Sequence, residues 1–192
     1  PSLIKSDWRV RNSFKEDDLL LLYAGILGYA QGLEVVLKSA NITKENKKIR
    51  YILLGSGPEK DRLIQINKEL GLKNVYFFDG VPKSEMAFII KAIDIALVPL
   101  RKLPLFEGAI PSKIFENARM LKPILLGVEG ESKEIIDNYQ AGITFTPENK
   151  ISFHKALNAL MNPILYAKFQ NGCKKLTEDF NRLKLANDML IT

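Results

Sequence analysis

Residues 19–32 read LLLLYAGILGYAQG, an apolar run followed by a loop that contains three glycines. Because the run at Leu19–Ala24 is continuously apolar instead of alternating, it predicts a strand that is covered on both faces within a parallel sheet. The loop leads into a helical pattern at Gly32–Ala40. A strand, a glycine-bearing loop and a helix in this order form the repeating unit of an α/β fold.

The same unit recurs along the chain. Five further apolar or aromatic runs predict strands, at Arg50–Leu54, Val75–Phe78, Ile95–Pro99, Pro123–Leu126 and Gly142–Phe145. Helical patterns separate or follow them, at Glu59–Leu70, Ser84–Ala92, Ser112–Leu121, Lys133–Tyr139, Ser152–Met161 and from Pro163 to about Leu185. This alternation predicts an α/β fold with a doubly wound parallel sheet of about six strands, Rossmann-like, whose ligand lies beyond the carboxyl ends of the strands.

The size of the chain predicts one domain. Its 192 residues are 46% hydrophobic, which suffices for one substantial core, so we expect a single domain over 1–192 that ends in one or more helices within 163–192. The first residues, PSLIK, contain neither an initiator Met nor a signal-peptide pattern, which predicts a fragment of a longer protein. The apolar runs are far shorter than the roughly 20 residues of a membrane-spanning helix. The single cysteine, Cys173, suits a solvated helix or a reactive thiol, and a reducing cytoplasm.

The formal charge is +6, from 28 basic and 22 acidic residues. Much of the excess lies in Lys44–Arg50 and Lys168–Lys184, which we interpret as solvated helix faces. A basic excess favours association with anions, including a nucleotide diphosphate, an acidic membrane surface or RNA. No ladder of aromatic residues accompanies the basic ones, so a nucleic-acid partner is not expected.

Glycines at the carboxyl edge of the predicted sheet are candidate phosphate contacts. Gly25 and Gly28 lie in the first loop, where a missing Cβ lets the backbone approach a ligand and free amides at a helix start favour an anion. Their spacing is neither Gly-x-Gly-x-x-Gly nor a Walker sequence. Gly55 follows the second strand in the sequence LGSGPE, where Pro58 suits the first turn of a helix. Simple turn glycines are the alternative at these positions.

The most informative stretch is FEGAIPSKIFEN at 106–117, directly after the fourth strand. Pro111 and Ser112 mark a helix start. On the first turns of that helix, Glu116 could accept hydrogen bonds from both hydroxyls of a ribose, each contributing roughly 1.5 to 3 kcal/mol. Lys113 could offset the charge of a diphosphate. The alternative is that Lys113 and Glu116 form an exposed i,i+3 ion pair.

Two further features complete the candidates. The turn GVEGESKE at 127–134 could present backbone amides around Gly130 and Glu131 to a diphosphate, or serve only as a turn. His154 is the only histidine, lies in a late predicted helix and is interpreted as structural. No cluster of metal-ligating residues stands out, so neither a metal nor a cofactor is expected.

Several segments in a fixed order resemble one protein family. They are YAG and AQGL in the first loop, LGSGP at 54–58, VYFFDGV at 75–81, DIALVP at 94–99, PSKIFE at 111–116, KPIL at 122–125, GE at 130–131 and AG at 141–142. Together they resemble the C-terminal, donor-binding domain of the retaining GT-B glycosyltransferases (glycosyl transferases group 1, family 4 type), with AQG and PSK typical of the branch in bacterial surface-polysaccharide assembly.

The resemblance implies roles for single residues. Glu116 corresponds to the ribose-binding second acid of a Glu-x7-Glu pattern, and Gly80 and Val81 lie beside the nucleotide base. The first acid of that pattern falls on Gly108, so contacts to the donor sugar would come from the backbone of 108–110, including Ala109. The first loop has Ile26 and Gln31 where many relatives have Arg and Lys, which leaves diphosphate binding to Lys113 and backbone amides. No catalytic residue is assigned within this chain.

The resemblance also implies a function for the intact enzyme. The donor would be a nucleotide sugar, a UDP-sugar, transferred with retained configuration to a saccharide or lipid-linked acceptor at the inner face of the membrane. The acceptor site would belong to an N-terminal domain of the same protein, so the fragment alone would be inactive. Two other interpretations stay open: a sugar-nucleotide epimerase of the same architecture, and a non-catalytic Rossmann-like module that binds RNA or protein.

Overall fold

The computed structural model of the chain describes residues 3–180, with side chains from Asp7 onward. Its strands are β1 (Leu19–Ala24), β2 (Ile49–Leu54), β3 (Val75–Phe78), β4 (Ile95–Pro99), β5 (Ile124–Gly127) and β6 (Gly142–Thr144). Its helices are α1 (Leu3–Arg11), α2 (Glu34–Ile42), α3 (Lys60–Glu69), α4 (Lys83–Ala92), α5 (Lys113–Arg119), α6 (Glu131–Tyr139), α7 (Lys150–Leu160) and α8 (Pro163–Asp179). Short 3-10 turns occupy Tyr29–Gln31 and Pro104–Phe106.

The six strands form one parallel sheet in the order β3-β2-β1-β4-β5-β6. The order reverses at β1 and β4, and the pairing between these two strands is short. Strand β1 pairs with β2 over all six residues, but with β4 only at Leu21↔Ile95 and Leu22↔Ala96. Because ligands of open α/β sheets bind where the strand order reverses, the β1–β4 crevice is the expected binding position.

Helices cover both faces of the sheet, as the predicted Rossmann-like fold requires. One face carries the largest apolar cluster, in which Leu21 and Tyr51 of the sheet pack with Leu37 of α2 and Phe153 of α7. The opposite face carries two smaller clusters, one formed with α5, α6 and α8 and the other with α4 and the Trp8–Phe14 segment. The nearly continuous burial of the central strands explains their unbroken apolar sequence.

The helix α1 was not predicted from the sequence. Its Arg9 is buried and joins three segments: Nε donates to the Ala92 carbonyl at 2.7 Å, Nη1 to the Asp18 carbonyl at 2.8 Å, and Nη2 to Asp94 Oδ2 at 2.7 Å. The ring of Trp8 lies against Phe14 and Phe78. These contacts hold the segment before β1 against the sheet.

Several predicted boundaries were wrong by a few residues. The predicted helix at Gly32 begins instead at Glu34, because Gly32 adopts a left-handed conformation after the 3-10 turn. Helix α5 ends at Arg119 because Leu121 also has a positive φ. Helix α7 begins at Lys150, since the Asn149 side chain accepts hydrogen bonds from the amides of the first turn. Residues 181–192, which include the end of the last predicted helix, lie outside the described residues.

The basic run at Lys44–Arg50 is not a helix face, contrary to the prediction. Residues 44–48 form an exposed turn between α2 and β2, and Arg50 lies within β2. The distinction matters for the charge distribution, because the run lies at the amino end of β2. It is therefore at the opposite edge of the sheet from the crevice.

Cys173 is neither solvated nor poised to react. Its side chain is fully buried in the cluster with α5 and α6, and Sγ lies 3.2 Å from the Ala141 carbonyl. Burial raises the pKa of its thiol to about 12. Among the described residues, no helix is sufficiently long and apolar to cross a membrane.

Candidate functional site

The carboxyl edge of the sheet brings the loops after β1 and β2 into backbone contact. A Cβ on Gly55, whose φ is +147°, would overlap the Gly25 carbonyl oxygen. A Cβ on Gly57, whose φ is +156°, would lie 2.5 Å from the Leu27 carbonyl oxygen. The amide of Leu27 donates to the Ser56 carbonyl at 2.9 Å. Packing between the loops is therefore sufficient to explain why glycine occupies position 55, and its ligand contact stays a prediction.

Lys113 lies across the crevice. It is the first residue of α5, yet its side chain reaches the end of β1, where a Cβ on Gly25 would meet Lys113 Cε at 2.7 Å and Nζ at 2.9 Å. The ammonium group also lies 5.6 Å from the centre of the Tyr23 ring. The glycine thus makes room for the lysine, and a cation lies where β1 and β4 diverge.

Glu116 lies one turn further along α5. It is exposed, and its Oε1 accepts a hydrogen bond from Ser112 Oγ at 3.0 Å. The i,i+3 ion pair with Lys113, which the sequence allowed, is not among the ion pairs of the described residues, because the two side chains point to different neighbours. The carboxylate is consequently accessible to a ligand.

The loop at 107–110 is fastened by the turn before α6. The Glu131 amide donates to the Glu107 carbonyl at 3.0 Å, and Ser132 Oγ, which is fully buried, donates to the Ala109 carbonyl. A Cβ on Gly130 would overlap the Glu107 carbonyl oxygen. The Glu131 amide is therefore engaged within the protein, so the predicted diphosphate contact from this turn would have to use other groups.

Gly108 lies on the open side of the same loop. It is exposed, and a Cβ at this position would meet no heavy atom within 4 Å. The adjacent Ala109 is half-buried, and its amide donates to the Phe106 carbonyl at 3.0 Å. Glycine at 108 is thus not demanded by packing, in contrast to Gly130.

The loop after β3 lies at the same edge of the sheet, beside the loop after β2. Gly80 is exposed, Val81 is half-buried, and a Cβ on Gly80 would lie 4.0 Å from Gly55 Cα. Next to them, Lys60 Nζ lies 2.5 Å from Asp79 Oδ1, and the lysine lowers the pKa of that carboxyl group. This bridge fastens the start of α3 to the end of β3, and the sequence analysis did not identify it.

The sequence analysis also did not identify Arg101, which lies two residues beyond β4. Its guanidinium carbon lies 3.5 Å from the centre of the Tyr29 ring, Nε donates to the Tyr29 carbonyl at 2.8 Å, and its amide donates to the Ala30 carbonyl at 2.9 Å. The sequence signal for Arg101 is a basic residue just after a strand that lies next to β1. That signal can be used only when the order of the strands in the sheet is known.

His154 takes no part in this arrangement. It lies on α7, and its Nε2 is 3.2 Å from Asn158 Nδ2 on the same helix. The residues brought together are the glycines of the first two loops with Lys113, and the 107–110 loop with Gly130 and Glu131. Over the part of the chain that is described, no group of three or more His, Cys, Asp or Glu side chains could hold a metal ion.

The strand order, the crevice at its reversal point and the glycine-lined loops define a Rossmann-like α/β domain, a class of fold in which ligands bind at the carboxyl edge of the sheet. The chain belongs to the family Glycosyl transferases group 1, whose model matches residues 4–175. Its fold is that of the C-terminal domain of GT-B glycosyltransferases.

The chain is similar to several named glycosyltransferases. It is 26% identical over 156 residues to the probable glycosyltransferase WbjE of Pseudomonas aeruginosa, covering 80% of this chain and 37% of WbjE. It is 28% identical over 165 residues to the O-antigen biosynthesis glycosyltransferase WclY of Escherichia coli, covering 85% and 41%. The structure of Anabaena Alr3699/HepE matches with a TM-score of 0.83 at 16% identity, covering 100% of this chain and 52% of that chain. The chain thus spans about two fifths of the length of WbjE and of WclY, and about half of the Alr3699/HepE chain.

Proposed function

We propose that this chain is the donor-binding domain of a retaining glycosyltransferase and that it binds a UDP-sugar in the β1–β4 crevice. The observation that carries the proposal is the position of Lys113 Nζ beside Gly25, a cation at the point where the strands diverge. Anabaena Alr3699/HepE, which shares the fold, has been crystallised with UDP and glucose. That complex supports a uridine nucleotide as the donor here.

The diphosphate would lie between Lys113 and the first loop, near Gly25 and Gly28. Charge-assisted hydrogen bonds are short and strong, and a glycine-bearing loop admits the phosphate oxygens close to its backbone. The ribose would then lie along α5, where the exposed Glu116 carboxylate can accept hydrogen bonds from two hydroxyls. The base would lie toward Gly80 and Val81. The nucleotide would thus extend across the carboxyl edge of the sheet, from the start of α5 toward the loop after β3.

The donor sugar would lie on the other side of the diphosphate, against the 108–110 backbone. Gly108 leaves this surface open, while Gly130 and Ser132 hold the loop in place. In the reaction, the bond between the sugar C1 and the diphosphate oxygen would break, C1 would form a bond to the acceptor oxygen on the same face of the sugar, and the acceptor hydroxyl would give its proton to the leaving diphosphate. Lys113 would stabilise the negative charge that develops on the leaving diphosphate.

The acceptor would be a saccharide or a lipid-linked saccharide in the synthesis of a surface polysaccharide or glycolipid. The similarity to WclY, named for O-antigen biosynthesis, supports this class. We propose that a second domain of the same protein holds the acceptor, that the enzyme works in the cytoplasm at the membrane face, and that the 192-residue chain alone transfers no sugar.

Calorimetric titration of the 192-residue chain with UDP, GDP, ADP and CDP tests the proposal. UDP should bind most tightly, and Lys113→Ala should weaken it about 10- to 100-fold, the value of one charged hydrogen bond. Lys155→Ala, at an exposed lysine of α7, is the matched control and should bind normally. Equal affinity for all four nucleotides, or an unaffected Lys113→Ala variant, would contradict the proposal.

Glu116→Gln tests the ribose site separately. It keeps the size of the side chain but removes the charge, so UDP binding should weaken while 2′,3′-dideoxy-UDP, which lacks both hydroxyls, should bind the variant and the original chain equally. Glu69→Gln is the matched control, because Glu69 also accepts a hydrogen bond from the side chain four residues earlier but lies at the end of α3. An equal loss of UDP affinity in both variants would contradict the assignment of Glu116 to the ribose site.

A further inference from the structure

We propose that Arg101 is a positioning residue that holds the Tyr29–Gly32 turn against the exit of β4 and thereby fixes the β1 wall of the nucleotide crevice. The inference rests on the proposed function, since it concerns the loop that would receive the diphosphate. It assigns to Arg101 a role through this loop, and no direct contact with the reacting atoms.

Arg101 contacts the turn at four points. Its guanidinium stacks on the Tyr29 ring, Nε and the backbone amide donate to the carbonyls of Tyr29 and Ala30, and its Cγ occupies the space beside Gly32, where a Cβ would approach it to 3.2 Å. Gly32 itself has a φ of +57°. A planar, delocalised cation can stack and donate at the same time, which a lysine cannot do.

The turn has little else to hold it on this side. Residues 25–32 contain no charged side chain, and Tyr29 is 62% exposed. Since β1 and β4 pair at only two positions, the sheet does not join the turn to the β4 exit. Arg101 therefore bridges the gap where the proposed ligand enters.

The surroundings of Arg101 add one carboxylate. Glu148 Oε1 lies 3.9 Å from Arg101 Nη1, and Glu148 Oε2 accepts a hydrogen bond from the Lys102 amide at 3.0 Å. Glu148 lies in the connection between β6 and α7, and its carboxylate pairs with the Nη1 end of the Arg101 guanidinium. Arg101 lies in the connection between β4 and α5, and Lys113 is the first residue of α5, so two residues that follow β4 place positive charge on both sides of the uncharged loop.

The test compares UDP with uridine in calorimetric titrations of the 192-residue chain and its Arg101→Ala and Arg101→Lys variants. If the turn is ordered in about a tenth of the variant molecules, UDP affinity falls about tenfold. Uridine lacks the diphosphate that the turn would receive, so its affinity should not change. The Arg101→Lys variant keeps the charge but loses the stacked geometry, so it should behave like Arg101→Ala. Arg119→Ala, at an exposed arginine of α5, is the matched control.

The outcomes are distinct. A loss of UDP affinity with unchanged uridine affinity, together with faster amide hydrogen exchange confined to Gln31 and Gly32, supports the inference. Unchanged UDP affinity in both variants overturns it and leaves the proposed function intact. A parallel loss of UDP and uridine affinity shows a general structural role and also overturns it. If the original chain binds UDP no better than GDP, ADP or CDP, the proposed function is contradicted, and the inference, which rests on it, is contradicted as well.

Discussion

Lys113 Nζ lies 2.9 Å from the point that a Cβ on Gly25 would occupy, so the glycine at the end of β1 and the lysine at the start of α5 fill one space between them. Gly25 also has a φ of +144°, which L-residues rarely adopt. The conformation of the first loop and the direction of the lysine side chain are consequently coupled. This coupling is the physical basis for treating the two residues as one site.

Gly25→Ala should displace the Lys113 side chain and weaken UDP binding about tenfold or more, in the range of one charged hydrogen bond. Because both substitutions remove the same arrangement, Gly25→Ala and Lys113→Ala should not be additive in a double-mutant cycle. Calorimetric dissociation constants measure this. Gly71→Ala is the control, since Gly71 also has a positive φ of 61° but no neighbour within 4 Å of its Cβ position. Fully additive effects would show that Gly25 and Lys113 act independently and would contradict their treatment as one site.

Gly108→Glu should be tolerated by the fold. The position is open, so the free energy of unfolding should change by less than about 1 kcal/mol, as is usual for surface substitutions. Gly130→Glu, in the neighbouring turn, should cost more than about 3 kcal/mol, because its Cβ would overlap the Glu107 carbonyl and its φ of +72° is strained. Urea denaturation measures the free energy of unfolding of the two variants. Equal destabilisation would contradict the packing of the 107–110 loop against Gly130.

Arg9→Met should destabilise the chain by about 3 to 5 kcal/mol, because it removes the guanidinium from a buried ion pair with Asp94. Arg11→Met is the matched control. Among the described residues, its guanidinium forms one ion pair, an exposed one with Asp7 at 3.7 Å, so its loss should change the free energy of unfolding by about 0.5 kcal/mol or less. Urea denaturation at neutral pH compares the two variants. A similar small effect for both would contradict the assignment of α1 as part of the folded core.

Cys173 should be unreactive in the folded chain. Burial raises its thiol pKa to about 12, and the nucleophilic thiolate forms only as the pH rises toward that value, so at pH 8 almost none is present. A chromogenic disulfide reagent should therefore react slowly without denaturant and rapidly in urea. Rapid reaction of the folded chain at pH 8 would contradict the burial of Cys173.

The strands could be predicted closely because burial on both faces leaves an unbroken apolar run in the sequence. The predicted limits of β1, β3 and β4 agree with the structure to the residue. The helix α1 could not be predicted in the same way. Its sequence is largely polar, and its place depends on Arg9 and Trp8, whose partners are distant in sequence.

The residues of the candidate site also differ in whether the sequence alone could identify them. Glu116 and Lys113 could be predicted because PSKIFE combines a helix start with charged side chains and resembles a known family. Arg101 could not, because its contact with Tyr29 arises only when β4 is the neighbour of β1. The Lys44–Arg50 run was misread since charge alone does not separate a helix face from a turn.

The central claim is that a uridine nucleotide sugar binds in the β1–β4 crevice. The most direct test is amide NMR of the isotope-labelled 192-residue chain during titration with UDP-glucose. Saturable shifts at Gly25, Gly28, Gly80 and Glu116, which need higher UDP-glucose concentrations in the Lys113→Ala variant, are the predicted result. Shifts elsewhere on the chain, or none at millimolar UDP-glucose while the chain is folded, would contradict the claim.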